Sequence, residues 1–279
     1  MPDIFYLVSK RWKPMLAVVM ISIVTVAIVL YLKPKQYLSI ATSLPASSVA
    51  ADKARIYNKN IEYLYSGIGS PDDLDRIIGT AQLDTIYLAV TDQYNLFDHY
   101  KISDENERTK AARQLKKYSR VIKSDYGELK VKVWDTDKNL APKLANAIMD
   151  KLESIHRNLQ SSSNLASYNS LQSTQQKIQT QIDSIDQVVG IEKKENGIVA
   201  AHRKILFDQW QENEKLINEY QLMLNNNPPV LMAVEKAKPA TRPDKPEWLQ
   251  ILLVTALLSL FFAILLALIL ERRKSISQP

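Results

Sequence analysis

Cysteine is absent from the 279 residues. That absence excludes disulfides and thiolate metal sites, and it is compatible with an extracytoplasmic location without proving one. Glycine is scarce, at six residues. Neither G-x-x-x-x-G-K-[ST] nor G-x-G-x-x-G occurs, so the turns whose backbone amides cradle phosphate are missing. No G-x-S-x-G nucleophile elbow is present. Histidine is rarer still: His99, His156 and His202 lie far apart, without paired-ligand spacing, and each reads as a surface helix residue. Asp72, Asp73 and Asp75 read as helix-start chemistry, and carboxylates later in the chain as solvated helix faces. A glycosidase-like carboxylate pair meets only in space and stays open as a third reading, although a helix-dominated chain offers little from which to shape a pocket. No catalytic, cofactor-binding or metal-ligating residue is therefore assigned from these patterns.

Two long apolar runs are present instead. Met15 to Leu32 carries no charge over about 18 residues, and Trp248 to Leu270 none over about 23. Each is long enough for a hydrocarbon core of roughly 30 Å, and neither shows the polar face of a buried soluble helix. Lys10, Arg11 and Lys13 precede the first run, and Arg272, Arg273 and Lys274 follow the second. Short basic flanks stay in the cytoplasm, whereas long loops cross regardless of charge. Both termini are thus expected in the cytoplasm, with residues 33–247 outside it. Lys33 and Lys35 oppose this weakly, and Trp12 and Trp248 sit where interfacial anchors belong. The first run exceeds a signal-peptide core and no clear A-x-A site follows, so it reads as an uncleaved anchor. With the three Lys/Arg and one acid of each end set aside, the intervening loop holds 30 basic and 28 acidic residues. The sequence pI of about 9.2 is then largely an orientation signal, not the clustered basic face of a nucleic-acid binder.

Beyond the first span, QYLSIATSL alternates Leu38, Ile40, Thr42 and Leu44 on one side, which predicts a strand with that face inward. A helix is expected from about Asp52 to Tyr65. Another is opened by Ser70, Pro71, Asp72 and Asp73, and a further polar one covers Asp104 to Tyr118. In GELKVKVWDTD, Leu129, Val131 and Val133 share one face and Lys130, Lys132 and Trp134 the other. Val121 to Lys123 pairs with it through the SDYGE turn, and Pro229 to Glu235 is one more strand. The economical arrangement is a small mixed sheet near the membrane, covered by helices.

A helical pattern begins at Leu140. After the polar SSSN, Leu171, Gln175, Ile178, Ile182, Ile185 and Val189 step by four and three, and beyond Gly190 and Gly197 so do Leu206, Trp210, Asn213, Ile217, Tyr220 and Leu224. Two seams flanking a glycine-bounded turn predict an antiparallel hairpin, with arms Ser162 to Val189 and Ile198 to Asn225, each roughly 42 Å long. Gln175 and Asn213 are either polar residues tolerated on the seams or devices that set register. Asn225 to Pro229 ends the return arm. KPATRPDKPEW, with Pro239, Pro243 and Pro246, then leads into the second span as a stiff joint or a plain spacer.

Two segments resemble a known family. In WDTDKNLAPKLANAIMDKLES, a strand ends in an acidic turn and enters an Ala/Asn-rich helix, with Asp137, Leu140, Ala141, Ala145, Asn146 and Ala147 carrying the pattern. Pro142 departs from it but falls in the first helical turn. AVEKAKPATRPDKPEWLQILL is similar in its strand, its turn at Ala237 and Pro239, and its spaced Pro243 and Pro246. Both resemble the polysaccharide co-polymerases, the Wzz-type chain-length determinants. The motifs cover about a fifth of the chain, while the order of elements agrees throughout.

The resemblance implies an α+β membrane protein, with two transmembrane helices flanking a periplasmic α/β base and a long protruding antiparallel helical hairpin. The expected layout is a cytoplasmic N-terminus at 1–14, a span at 15–32, the first part of the base at 33–139, a long helix and hairpin at 140–226 with its tip near 190–197, a return strand and proline joint at 227–247, a span at 248–270 and a cytoplasmic tail at 271–279. The family's members are bacterial inner-membrane homo-oligomers. They set the chain length of O-antigen, capsule or exopolysaccharide beside a separate polymerase acting on lipid-linked glycan. Some relatives carry a cytoplasmic kinase. The members catalyse no reaction themselves, so the resemblance implies a non-enzyme here; the tail ERRKSISQP is too short for a kinase, and a separate kinase stays open as a partner. The competing reading is a periplasmic coiled-coil scaffold of a polysaccharide or other export machine.

Overall fold

The computed structural model describes residues 4–46, 73–103, 105–192 and 197–276. The chain divides into two compact units: Met1–Ser39, Trp134–Pro142 and Lys238–Pro279 in one, Ile40–Val133 and Lys143–Ala237 in the other.

The first unit is built on two helices, α1 (Ile4–Leu32) and the last helix of the chain, α8 (Trp248–Ile276). Both are long and apolar enough to cross a membrane over Trp12–Leu32 and Trp248–Ile269, and only 11% and 17% of these stretches is buried, where a core helix would be mostly buried. They pack through Met15, Ala263 and Ala267, with Val18, Ile264 and Leu268 around them. The alanines let the backbones approach closely, which is the usual basis of helix pairing in lipid.

A four-stranded sheet, most of whose residues belong to the second unit, has the order β2-β3-β1-β4, from β1 (Tyr37–Pro45), β2 (Ser119–Lys123), β3 (Leu129–Asp135) and β4 (Leu231–Glu235). Strands β2 and β3 pair antiparallel from Ser119↔Val133 to Lys123↔Leu129, through the expected SDYGE turn. Gly127 sits there at φ 74°, a conformation that a Cβ would disfavour. Leu129, Val131 and Val133 are wholly buried, as their alternation predicts. Strand β1 departs from expectation. Its buried residues include Ser39, Ala41 and Ser43, while Leu44 is 36% exposed. The pairing with β4 shifts register between Thr42 and Ser43, so both are buried and the simple alternation breaks. Strand β4 lies at the sheet edge, with Met232 and Val234 exposed.

The expected helix at Asp52 to Tyr65, and the cap at Ser70, Pro71 and Asp72, lie outside the described residues; α2 spans Asp73–Thr80. Two helices without a diagnostic sequence pattern follow, α3 (Asp84–Tyr94) and α4 (Leu96–His99), joined at Asn95 in a left-handed conformation. Helix α5 covers Glu107–Lys117, inside the range expected for it. Ion pairs Arg108–Asp92 at 2.6 Å and Lys116–Asp84 at 2.7 Å tie α5 to α3.

Helix α6 (Leu140–Glu192) is a single helix of 53 residues, roughly 80 Å long. It runs through the serine stretch at 161–163 that the sequence reading sets before a separate arm. A serine costs a helix at most about 0.7 kcal/mol relative to alanine, and neither Gly nor Pro stands there to break it. Gly190, expected in the turn, lies inside α6, and Gly197 opens α7 (Gly197–Asn226). Helix α7 ends where the Asn227 N–H bonds to Met223 O at 2.9 Å, with Asn227 at φ 36°, directly before the two prolines.

Candidate functional site

Three sequence-marked regions come into contact within their own units. At the strand-to-helix turn, Asp135 Oδ1 accepts the Asp137 N–H at 2.8 Å, and Asp137 Oδ1 accepts the Asn139 N–H at 2.8 Å. The Asp137 carbonyl accepts from the N–H groups of Leu140 at 3.2 Å and Ala141 at 3.1 Å. Two successive aspartate turns thus satisfy amides that the start of α6 leaves without helical partners. Pro142 falls in that first turn, where its missing donor costs nothing. Ala141 and Ala145 are fully buried, Ala147 is nearly so, and Leu140 is half-buried.

Asn146 is half-buried one turn further on. Its Oδ1 accepts the Ala237 N–H at 2.9 Å, and its Nδ2 donates to the Ala237 carbonyl at 3.3 Å. A single carboxamide therefore closes on both polar groups of the residue that begins the proline joint.

In the other unit the joint is held along its length. Ser39 Oγ donates to the Lys238 carbonyl at 2.9 Å. The Gln36 N–H donates to Lys245 O at 3.0 Å, and Gln36 O accepts from the N–H groups of Asp244 at 2.8 Å and Lys245 at 3.3 Å. Trp134 Nε1 donates to Asp244 Oδ2 at 2.7 Å, and Lys245 Nζ stands 4.4 Å from the Trp134 ring centroid. Charge assistance strengthens the first contact, and the ring quadrupole favours the second. Pro239 and Pro243 are exposed and Pro246 is half-buried. The Lys245–Pro246 peptide is cis. Helix α8 begins just beyond, with the Trp248 N–H on Pro246 O at 3.0 Å.

On the hairpin, Ile178 and Leu206 are buried, and Leu171, Ile182, Ile185, Val189, Trp210, Ile217, Tyr220 and Leu224 are half-buried. Asn213 is 7% exposed and donates from Nδ2 to Leu171 O at 3.0 Å and to Gln175 Oε1 at 2.6 Å. Gln175 Nε2 in turn donates to Glu214 Oε2 at 3.0 Å. Arg203 Nε meets Asp186 Oδ1 at 2.8 Å nearer the far end. These contacts set the two helices antiparallel in a single register. Phe207 and Trp210 stack at 6.3 Å on the return helix. An open trough of about 1020 Å3 follows the hairpin, lined by Ser167, Ser170, Asp208, Glu212, Lys215 and Tyr220 among others. Among the described residues no three His, Asp or Glu side chains cluster as metal ligands would.

Sequence reasoning misses Trp134, Gln36, Asp244 and Met223, the last of which is buried beside Leu224. The one available signal was Trp134 itself, an aromatic on the strand face opposite the core whose indole N–H wants an acceptor. Electrostatic perturbation lies away from these regions. The Lys116 ammonium bonded to Asp84, the Arg108 guanidinium bonded to Asp92, and Lys130 together with Ser124 at Glu128 hold those carboxyls below the ordinary range. Burial raises the Tyr87 phenol.

No protein-family model and no curated protein matches the chain. Among solved structures, it is similar to a full-length bacterial polysaccharide co-polymerase, at 13% identity and a TM-score of 0.41 over the whole of both chains. It is also similar to a fragment of WzzB, a polysaccharide co-polymerase from Salmonella Typhimurium, at 15% identity and a TM-score of 0.37, over 76% of this chain and the whole of the fragment.

Proposed function

We propose that this protein regulates the chain length of a surface polysaccharide (O-antigen, capsule or exopolysaccharide). In this reading it works as a non-catalytic homo-oligomer in the bacterial inner membrane, beside a polymerase. Both termini are cytoplasmic and residues 33–247 periplasmic, and a separate cytoplasmic kinase can serve it. The observation that carries the reading is the pairing of Asn146 with Ala237. The two segments that resemble the co-polymerases lie over ninety positions apart, and they touch through Asn146 on Ala237 and through Trp134 on Asp244 and Lys245.

The mechanism follows from the parts. Hairpins of neighbouring protomers bundle side by side, and oligomer geometry, not a pocket, limits how far a lipid-linked glycan is extended. The proline joint links the return strand to the second span. Proline restricts φ and removes donors, so the joint resists bending and carries the geometry of the base into the membrane. Gel analysis of surface polysaccharide in a deletion strain and its complemented partner tests this. An unchanged length distribution on deletion sinks the proposal. The hairpin's single register also suits an export scaffold, and copurification with transporter rather than polymerase components would favour that alternative.

A further inference from the structure

A shallow, open groove of about 380 Å3 lies between α1 and α8, lined by Val24, Ala27, Ile28, Tyr31, Leu32 and Trp248. Its lining is aliphatic and aromatic, and Tyr31 and Trp248, 81% and 39% exposed, stand at one end. At that end the chain leaves α1 through Lys33 and Lys35 and approaches α8 through Arg242 and Lys245. The backbone bonds between Gln36 and Asp244–Lys245 bring these two stretches side by side. All four cations are exposed. Against these four cations stand two acids, Asp244, which accepts from the Trp134 indole, and Glu247; Lys245 also stands 4.4 Å from the Trp134 ring centroid. Basic residues normally concentrate at the cytoplasmic ends of spans, so this second cluster is not explained by orientation.

We propose that this end of the helix pair seats one anionic phospholipid of the surrounding bilayer. An acyl chain occupies the apolar groove, and the phosphate lies among Lys33, Lys35, Arg242 and Lys245. Apolar lining and positive charge at one mouth complement the two halves of that molecule, and the aromatic pair matches the interfacial depth between them. The inference rests on α1 and α8 crossing a membrane. It is independent of the polysaccharide that the protein serves.

The test uses the full chain, purified in mild detergent and presented with equimolar phosphatidylglycerol and phosphatidylcholine of the same acyl composition. Retained lipid is read by native mass spectrometry. The protein should retain phosphatidylglycerol over phosphatidylcholine by at least about five-fold, the effect of one well-placed cation at a lipid surface. The Lys33→Gln/Lys35→Gln variant should lose most of that preference, and adding Arg242→Gln and Lys245→Gln the rest. Ile28→Trp, which fills the groove, should lower retention of both lipids. The double variant touches only exposed side chains, so its fold is secured by an unchanged helical circular dichroism. Equal retention of the two lipids, or an unaltered preference in the double variant, overturns the proposal. Alkaline carbonate extraction of membranes tests the underlying reading separately: release of the chain removes both, whereas a retained chain without lipid preference removes this inference alone.

Discussion

Asn146 on α6 grips Ala237 by both ends of its carboxamide, accepting from the N–H at 2.9 Å and donating to the carbonyl at 3.3 Å. The side chain acts here as a neighbouring strand would, satisfying a backbone donor and acceptor at once. Asn146→Ala leaves both groups of the buried Ala237 without their partner, at a cost of about 1–3 kcal/mol. The measurement is thermal or denaturant unfolding of the full chain in detergent. Asn146→Asp keeps the acceptor and should fall between the two. An unfolding midpoint equal to wild type in Asn146→Ala would show that water replaces the carboxamide without loss.

The proline joint gives a second prediction. Replacing Pro239, Pro243 and Pro246 with alanine should shift the glycan length distribution while protein abundance stays near normal. Trp134→Phe keeps a ring beneath Lys245 but removes the donor to Asp244, and should shift glycan length in the same direction by a smaller amount. Gels and immunoblots of the same cells read both quantities. An unchanged length pattern in the triple variant reduces the stretch to a spacer.

Asn213 tests how the hairpin sets its register. A buried polar residue on a seam specifies alignment at some cost in stability. Asn213→Leu should therefore unfold at a higher temperature and align less uniquely. Because the chain has no cysteine, Asp186→Cys with Arg203→Cys provides a clean reporter across the hairpin. Oxidative crosslinking should be high in the otherwise native chain and lower once Asn213→Leu is added. Equal crosslinking in both would assign register to the apolar seam alone.

The pH dependence of α3, α5 and the β2–β3 turn has a definite sign. Asp84, Asp92 and Glu128 are held below the ordinary carboxyl range by Lys116, by Arg108, and by Lys130 with Ser124. A carboxyl depressed in the folded state contributes stability above its unfolded value, and that stability is lost as pH falls through the folded value. Unfolding free energy should thus decline below about pH 4, and Lys116→Gln should flatten the decline. Tyr87 works in the opposite sense. Burial raises its phenol, so its contribution is complete below the ordinary tyrosine value and is lost as pH rises past the folded one.

Periodic features were legible in the sequence. The Leu129, Val131 and Val133 face and both hairpin seams repeat with the period of their own element, and burial follows that period, while the spans were legible as long uncharged runs and the β2–β3 turn from its local sequence. Strand β1 was legible as a strand but not in its burial: Ser39, Ala41, Ser43 and Pro45 are buried on both sides of the register shift at Thr42 and Ser43, and small residues give no apolar signal. Helices α3 and α4 carry no long stripe, and Asn95 in a left-handed conformation divides them. The serine stretch suggested an interruption that continuous backbone bonding through α6 overrides.

Length and local periodicity by themselves determined that this chain has two membrane-length helices, a strand pair and a helical hairpin, since each is written in residues adjacent or a turn apart. Tertiary structure alone decided that Asn146 meets Ala237, that Trp134 meets Asp244, and that Ser39 meets Lys238 across 199 positions. Such contacts depend on where whole elements place single polar atoms. A hydrogen bond requires its partners within a few tenths of an ångström, and no local pattern encodes a distance between residues so far apart in the chain.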